Sequence, residues 1–310
     1  MGYQPATGTF RLMSDEAARP RMYDLILTLG PPVDAAIPGQ PLLLQAPATG
    51  RSFDGEGLAL APDGRFFVSS EGDEFAMEDE LPGIFEYAAD GTPRRRLRLP
   101  AAWAGVRTES GVEGLALSPD GVSLAAVTEA ALRQDGPIPD FKTGSVSRIL
   151  VLDLTGRARP REYAYPVDPI PAPAGAVAPT GNVGASELLW LGKDELLVLE
   201  RSFVEDRTTT PELRANTIRI YRVTLDPAAE VTGRWSVVDE PPATTLKKEL
   251  FVDLGMFAAE LPQRLRMLEN FEGMTFGPPL PDGRQTLVLV SDDNFRNAQV
   301  TAVVVLAVGR

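Results

Sequence analysis

Carboxylates recur at corresponding places in four apolar segments of this chain. Each segment opens with a glutamate: Glu56, Glu113, Glu187 and Glu272. Each then turns back and ends in further acidic residues, which include Glu71, Glu129, Glu200 and Asp292. Hard carboxylate oxygens at this density suit Ca²⁺ or Mg²⁺ better than softer metals. The chemistry to consider first is therefore that of a divalent cation.

Two missing residue types narrow the chemistry further. The chain has no histidine and no cysteine, which excludes a Ser-His-Asp triad, a thiol nucleophile, a disulfide, and His- or Cys-ligated zinc. Acid–base steps must then use Asp, Glu, Lys, Tyr or a bound water.

Charge and hydropathy limit the partners. With 30 basic and 43 acidic residues, the formal charge of −13 disfavours nucleic acids and anionic membrane surfaces. No apolar run reaches the ~18–20 residues of a membrane helix, and "MGYQPATGTF" has none of the features of a signal peptide. We expect a monomer that acts on a small-molecule phosphoester or ester, without nucleic acid and without membrane insertion.

The acidic residues belong to an internal repeat. "DGEGLALAPDGRFFVSSEGD" (54–73) matches "GVEGLALSPDGVSLAAVTEA" (111–130), and weaker copies lie at 184–203 and 270–295. Each copy predicts a β-hairpin, and in three of them the turn is Pro-Asp-Gly, in which proline presets φ and glycine accepts a positive φ.

Further strand pairs follow these hairpins, at 83–100, 147–166 and 216–238. Four strands per unit predict an all-β fold, a β-propeller of four-stranded blades with an acidic mouth to its central channel. Five blades are recognisable, and residues 240–262 are a candidate for a sixth. Residues 257–268 could form one short helix.

The chain is expected to form a single domain, 1–310, with an incomplete first blade. In that blade, 7–16 and 21–30 are predicted to be the second and third strands. Either the chain starts inside a blade, or the C-terminal strand at 300–308 helps to close the gap.

Hairpin geometry brings the carboxylates together. The start of the first strand lies beside the end of the second, so Glu56 should approach the Glu71–Asp73 segment. By the same rule, the other expected pairs are Glu113 with Glu129, Glu187 with Glu200, and Glu272 with Asp292 and Asp293. Asp15 and Glu16 would join them at one mouth of the channel. Such a group needs a cation or a basic partner, and Arg201 and Arg296 are nearby in sequence. A structural calcium site, an internal salt-bridge ring and a catalytic site all remain open.

The four repeat segments together resemble the phytase-like domain of bacterial proteins named for esterase-like activity of phytase. The resemblance covers nearly the whole chain and implies phosphoesterase or phosphodiesterase activity, with export to the periplasm or the cell surface. It places the acidic points of the family on Glu56, Glu71, Glu113, Glu187, Glu200, Glu272 and Asp292. Two departures are the missing entry before "GYQPATGTF" and the less acidic Thr128-Glu129.

Our first functional hypothesis is a Ca²⁺-dependent phosphoester hydrolase. The ion would neutralise a phosphate and lower the pKa of a water. Its expected ligands are Glu56, Glu71, Glu187, Glu200 and Asp292. Glu272 or Glu113 would be the general base, and Arg201 would steady the phosphoryl oxygens.

Two alternatives remain. One is a non-catalytic binding or scaffold module with a structural ion, because a propeller fold does not fix function. The other is a lactonase-like hydrolase with asparagine ligands, for which Asn182, Asn270 and Asn294 are candidates.

Overall fold

The computed structural model describes residues 1–30, 32–46, 53–72, 82–108, 110–238 and 244–309. Within these ranges the chain forms five antiparallel sheets. The innermost strands contact one another in a closed order, each sheet against the next and the fifth against the first. The predicted all-β propeller is thus confirmed, with five blades.

Blade 1 contains the shortest inner strand. Its strands are β1 (Gly2–Gln4), β2 (Thr9–Ser14), β3 (Arg21–Thr28) and β4 (Asp34–Ala36), with β5 (Leu42–Leu43) also paired to β3. The strands predicted at 7–16 and 21–30 are β2 and β3. The three residues of β1 supply the inner strand that the sequence barely indicates.

Blades 2 and 3 each have four strands in simple order. Blade 2 consists of β6 (Gly55–Leu60), β7 (Phe66–Ser70), β8 (Gly83–Tyr87) and β9 (Pro93–Arg96). Blade 3 consists of β10 (Val112–Leu117), β11 (Ser123–Thr128), β12 (Ser145–Asp153) and β13 (Arg161–Val167). The predicted hairpins at 83–100 and 147–166 are the outer strand pairs of these blades.

Blade 4 differs from the prediction in its outer strand. Its strands are β14 (Thr180–Gly192), β15 (Glu195–Asp206), β16 (Leu213–Thr224) and β17 (Lys248–Asp253). The partner of β16 is β17 and not the segment up to 238. No sixth blade is seen in the described part of 240–262, because residues 248–253 complete blade 4.

Blade 5 consists of β18 (Asn270–Phe276), β19 (Gln285–Asp292) and β20 (Val303–Val308). The C-terminal strand pairs with β19, so it completes blade 5 and does not enter blade 1. The helix predicted at 257–268 is replaced by 3₁₀ turns. The 3₁₀ helices of the described residues are Ala101–Gly105, Arg133–Asp135, Pro227–Ala229, Leu254–Phe257 and Gln263–Leu265. None of the helices described is long and apolar enough to cross a membrane.

Apolar clusters between neighbouring blades hold the ring together. Between blades 2 and 3, for example, Phe67 packs in one cluster with Leu124 and Leu150. The first and last blades meet through Phe10, Leu25 and Val288. Burying such side chains stabilises the fold by about 1.5–3 kcal/mol each, so closure of the ring rests on apolar packing.

Each of the inner strands β6, β10, β14 and β18 carries a β-bulge near its glutamate. Pairing is interrupted between Gly55 and Leu58 in β6, and between Val112 and Leu115 in β10. The other two breaks lie at Ala185/Glu187 and Phe271/Gly273. A bulge adds a residue and redirects its side chain, so these bulges can turn carboxylates toward the channel.

The glycine after the glutamate is required by close approach between blades. A Cβ on Gly57 would lie 2.0 Å from the Glu113 backbone oxygen, and one on Gly114 would lie 2.6 Å from the Glu187 Cα. Both contacts are with backbone of the next blade, which cannot move without opening the ring.

We expect Gly114→Ala to lower the free energy of unfolding by about 2 kcal/mol, since overpacking a tight contact typically costs 1–3 kcal/mol. Gly192→Ala is the matched control, because its Cβ would meet its nearest neighbour at an ordinary 3.5 Å. Chemical denaturation of both variants checks this. Equal losses of stability in the two would contradict the close-approach explanation.

Candidate functional site

One mouth of the channel contains two adjoining acidic cavities. The larger, of about 310 Å³, extends toward blades 1 and 5, and the smaller, of about 220 Å³, toward blades 3 and 4. The carboxylates that line both are Asp15, Glu56, Glu113, Glu272 and Asp292. We refer to the two together as the acidic mouth.

The bulges explain how these carboxylates reach the mouth. Glu56, Glu113 and Glu272 lie at the breaks in pairing of their strands, each followed by glycine. On the neighbouring strand, the residue just past the last pair of the bulge is Glu71 in blade 2 and Glu129 in blade 3. In each of these blades the acidic groups thus come from two positions, one on the innermost strand and one at the end of the strand beside it.

Blade 4 is shifted by one residue relative to the predicted alignment. Leu188 pairs with Val198 as Leu58 pairs with Val68, which gives Ser186 the register of Glu56. At the matching end of the second strand stands Arg201, paired with Gly184, in the register of Glu71. Blade 4 therefore contributes a hydroxyl and a guanidinium where blades 2 and 3 contribute carboxylates.

Glu187 consequently lies deeper than its predicted partners. It is 2% exposed and lines only the larger cavity. Its carboxylate accepts hydrogen bonds from the backbone N–H groups of Leu115 (3.2 Å) and Leu188 (3.1 Å) and from the α-amino group of Met1 (3.2 Å). These contacts tie inner strands together.

Glu200 lies outside the acidic mouth, in contrast to its predicted place among the ligands. It accepts a hydrogen bond from the Tyr165 hydroxyl at 2.7 Å and forms an ion pair with Lys248. Lys248 also pairs with Asp168 at 2.9 Å. These groups form an ion-pair cluster between blades 3 and 4, where the lysine already balances the carboxylate.

Two triads of carboxylates lie on the side of blades 2 and 3. Asp54, Glu56 and Glu71 form one, and Glu71, Glu113 and Glu129 form the other; within each, ligand oxygens lie within 4.8 Å of one another. Glu71 belongs to both, and one of its oxygens accepts a hydrogen bond from the Gly111 N–H at 2.8 Å. Asp54 and Glu129 were not among the predicted ligands. Asp73 lies outside the described residues.

Burial raises the pKa of most of these groups. For Glu56 and Glu113 the pKa lies well above its usual value, first because of burial and then because of repulsion from Glu71. Burial also raises the pKa of Glu129, against the opposing effect of Arg201. The triads are therefore short of positive charge, and their all-oxygen donor sets fit Ca²⁺ or Mg²⁺.

Arg201 lines the smaller cavity and contacts one of the triads directly. Its Nη2 pairs with the carboxylates of Glu272 and Glu129, the latter at 3.3 Å, and its Nη1 donates to Asn182 Oδ1 at 2.9 Å. Burial opposes its charged form, yet Glu272 and Glu129 raise its pKa. Its Nε is buried without a hydrogen-bond partner in the described parts of the chain.

Glu272 and Asp292 line both cavities but belong to neither triad. Burial raises the pKa of Asp292 to about 7, with further contributions from Asp15 and Glu272. Asn182 and Asn294 line the smaller cavity, whereas Asn270 and Arg296 line neither.

The shift in blade 4 had a signal in the sequence. The second inner strands end in Ser70-Glu71, Thr128-Glu129 and Ser291-Asp292, a hydroxyl residue followed by an acid. In blade 4 the corresponding pair is Glu200-Arg201. The arginine, and not the glutamate, therefore takes the position of the acid at the mouth. Matching the copies on their glutamates concealed this, because "SEL" in blade 4 replaces the "EGL" of blades 2 and 3 and the "EGM" of blade 5.

No curated protein sequence matches the chain. Among solved structures, an endo-arabinase from Bacteroides thetaiotaomicron VPI-5482 is similar with a TM-score of 0.45 and 12% identity, over 99% of this chain and 91% of that one. The family model described as "Phytase-like: Esterase-like activity of phytase" matches residues 1–295. The chain is a member of this phytase-like family.

Proposed function

We propose that the protein is a divalent-cation-dependent phosphoester hydrolase that prefers Ca²⁺ and acts at the acidic mouth. The observation that carries this is the pair of triads sharing Glu71, with the partly buried Arg201 in the same cavity, beside Glu129. Membership of a family described by esterase-like activity supports it.

The triads would hold the cations: Asp54, Glu56 and Glu71 on one side, Glu71, Glu113 and Glu129 on the other. When bound there, divalent cations supply positive charge against phosphoryl oxygens and make water more acidic. Of the predicted ligands, Glu56 and Glu71 keep that role, whereas Glu187, Glu200 and Asp292 take others.

Arg201 would bind the phosphoryl group. A guanidinium presents its donors in a planar fork that matches phosphate oxygens, and its Nε is buried with no partner among the described residues. As charge develops on the phosphoryl oxygens, donors already fixed in place stabilise it. Glu272 and Glu129 hold the side chain at the mouth.

Glu272 and Asp292 would handle the proton. Both line the cavities and belong to neither triad, so neither would be occupied as a cation ligand. Glu113, the other predicted general base, is a triad member. With a pKa of about 7, Asp292 can accept a proton near neutral pH, and Glu272 lies between it and Arg201 in electrostatic contact with both.

A lactonase-like reaction is the second candidate, because Asn182 and Asn294 line the smaller cavity beside the carboxylates. A panel of phosphomonoesters, phosphodiesters, phytate, lactones and carboxyl esters, run with Ca²⁺ and then with chelator, separates the two. Calcium-dependent cleavage of phosphoesters supports the proposal. Cleavage of lactones alone, or no cleavage at all, overturns it and in the second case favours a binding module.

Removal of the cation should destabilise the protein. At a concentration 100 times its Kd, a bound ligand stabilises by about 2.7 kcal/mol, and chelator should remove that. In Glu71→Gln, which alters both triads, the Ca²⁺-dependent gain should largely disappear. Asp63→Asn, in an exposed turn, is the control and should behave as wild type.

Thermal unfolding with and without chelator measures this. If the wild-type melting temperature does not respond to chelator, and Glu71→Gln is as stable as wild type or more so, the triads hold no ion.

Variants of Glu272 and Arg201, which lie outside the triads, should separate an effect on turnover from an effect on cation binding. Glu272→Gln and Arg201→Lys should each lower kcat by about 100-fold or more, the usual cost of losing one donor or proton acceptor, while Ca²⁺ affinity changes little. Arg65→Lys, which affects a surface ion pair of blade 2, is the control. Unchanged hydrolysis in both variants would move the active site elsewhere.

Metal-free protein should lose stability as pH rises from 5 to 8. The pKa of Glu187 and that of Asp292 are raised to about 7 in the folded protein, against about 4 when unfolded. The folded state then binds more protons than the unfolded state in this window. The contribution of these two groups to the free energy of unfolding is therefore complete below pH 4 and is lost as pH passes through 7. We expect a fall of roughly 2 kcal/mol or more.

The chain has no histidine and no cysteine, so the side chains that titrate in this window are the perturbed carboxylates. Asp292→Asn should flatten the pH dependence, whereas Asp282→Asn should not, because Asp282 has a lowered pKa from its hydrogen bonds with Arg284. Denaturation across pH with chelator present measures the slopes. If stability rises over this window, the pKa values of these carboxyl groups are not raised in the folded protein.

We also propose that the protein acts in the periplasm or outside a bacterial cell, on the resemblance to its family and the absence of cysteine. Fractionation of the native cells, with antibody detection, tests this. Recovery only in the cytoplasm would refute it.

A further inference from the structure

The larger cavity of the acidic mouth has one apolar wall that the proposed hydrolysis does not use. On blades 1 and 5 its lining includes a group of apolar and aromatic side chains, beside Asp15, Glu272, Asp292 and Asp293 of the same blades. The group consists of Leu12, Met13, Tyr23, Ile37, Val290 and Phe295. With about 310 Å³ it offers roughly twice the space of a cavity that holds one benzene molecule.

Phe295 is presented to this cavity by an unusual backbone. Both Asn294 (φ 48°) and Phe295 (φ 52°) are left-handed, a conformation that is rare for a bulky residue. Side-chain oxygens of Asp292 and Asp293 fix it by accepting hydrogen bonds from their N–H groups at 3.0 and 2.9 Å. The ring is nevertheless 62% exposed, so packing in the core does not explain its position.

Blade 1 supplies the opposite side of the wall. Ile37 is 56% exposed at the rim. Tyr23 is held by Arg21, whose Nε donates to its hydroxyl at 2.6 Å and whose guanidinium lies 5.5 Å from its ring centre. An exposed isoleucine, an exposed phenylalanine and a fixed tyrosine around one opening are typical of a place where an apolar group is bound.

A buried polar atom at the base of the same cavity also lacks a partner. The Ser186 hydroxyl, in a residue that is 6% exposed, has no hydrogen bond within the described ranges. Blade 4 has serine in this register, whereas blades 2, 3 and 5 have glutamate. It leaves a neutral donor beside the apolar wall and removes one negative charge.

We propose that this cavity binds the alkyl or aryl group of a phosphoester whose phosphate lies between the triads and Arg201, with Phe295 and Ile37 as specificity-determining residues. This inference rests on the proposed function and names its substrate class. A second charged phosphate is disfavoured there, because Asp15, Asp292 and Asp293 line the cavity beside the apolar wall. A neutral apolar group meets no such repulsion.

Two phosphomonoesters with similar primary-alcohol leaving groups test it: n-hexyl phosphate and glycerol 1-phosphate, each assayed by phosphate release with Ca²⁺. Wild type should favour hexyl phosphate in kcat/KM by about tenfold or more, the range in which an apolar pocket discriminates. Phe295→Asn removes the ring and tolerates the left-handed backbone. It should reduce that preference to within about threefold, through KM for hexyl phosphate, and Ile37→Ser should act in the same direction.

Met256→Ser is the matched control, since this methionine is 77% exposed and lines neither cavity. It should keep the full preference. Equal kcat/KM for the two substrates in wild type, or a preference that survives in Phe295→Asn, overturns the apolar subsite while leaving the hydrolase proposal intact.

Binding of non-hydrolysable probes decides the question if neither ester is cleaved. Calorimetry with Ca²⁺ should show hexylphosphonate binding about tenfold more tightly than methylphosphonate to wild type and to Met256→Ser, but not to Phe295→Asn. That result without turnover would refute the hydrolase proposal and keep the subsite. Equal affinities would refute the subsite.

Discussion

Repulsion between carboxylates in a confined space is the interaction on which this structure depends. Two unit charges 4.8 Å apart, the limit within each triad, repel by about 3–4 kcal/mol at an effective dielectric constant near 20. Three such pairs per triad approach the total stability of a typical protein, 5–15 kcal/mol. The triads cannot remain fully ionised alone, so protons or cations must share them. Burial first, and this repulsion second, raise the pKa of Glu56 and that of Glu113.

The backbone creates this concentration of charge and also limits it. Bulges in the inner strands turn Glu56 and Glu113 to the axis, and the glycines that follow let the next blade come close enough to share a site. Ser69 links the two blades at this point: its hydroxyl accepts from the Gly57 N–H at 2.7 Å and donates to the Glu113 backbone oxygen at 2.8 Å. Blade 4, by contrast, offers Ser186 and Arg201 in the same registers. The mouth is thereby acidic toward blades 2 and 3 and basic toward blade 4, whereas blades 1 and 5 contribute apolar side chains beside Asp15, Glu272 and Asp292.

The repeat made the fold predictable, because four hairpins with the same order of glutamate, apolar strand and turn admit few architectures. It also predicted that Glu56, Glu71 and Glu113 converge, since antiparallel pairing fixes which ends meet. What it could not supply was the one-residue offset of blade 4, where side-chain direction reverses with each step along a strand. The Lys248 partner of Glu200 was equally hidden, because β17 is separated from β16 by a long loop. The contact of Glu71 with Glu113 and Glu129 was not predicted, because ring closure, and not local sequence, brings blades 2 and 3 together there.

The asymmetry of the mouth bears on whether an ion there would serve only the fold. A purely structural ion is best held by a closed set of ligands that leaves no polar atom unpaired. The Glu200–Lys248–Asp168 cluster is closed in this sense, because every charge in it already has a partner. At the mouth, two buried polar atoms, Arg201 Nε and Ser186 Oγ, have no partner within the described ranges. Leaving buried donors unpaired costs about 1–3 kcal/mol each, a cost that an arriving ligand with acceptor oxygens can remove. A positive, a neutral and an apolar surface thus meet beside the acidic triads, which supports the proposed substrate with a charged end and an apolar end over a structural ion alone.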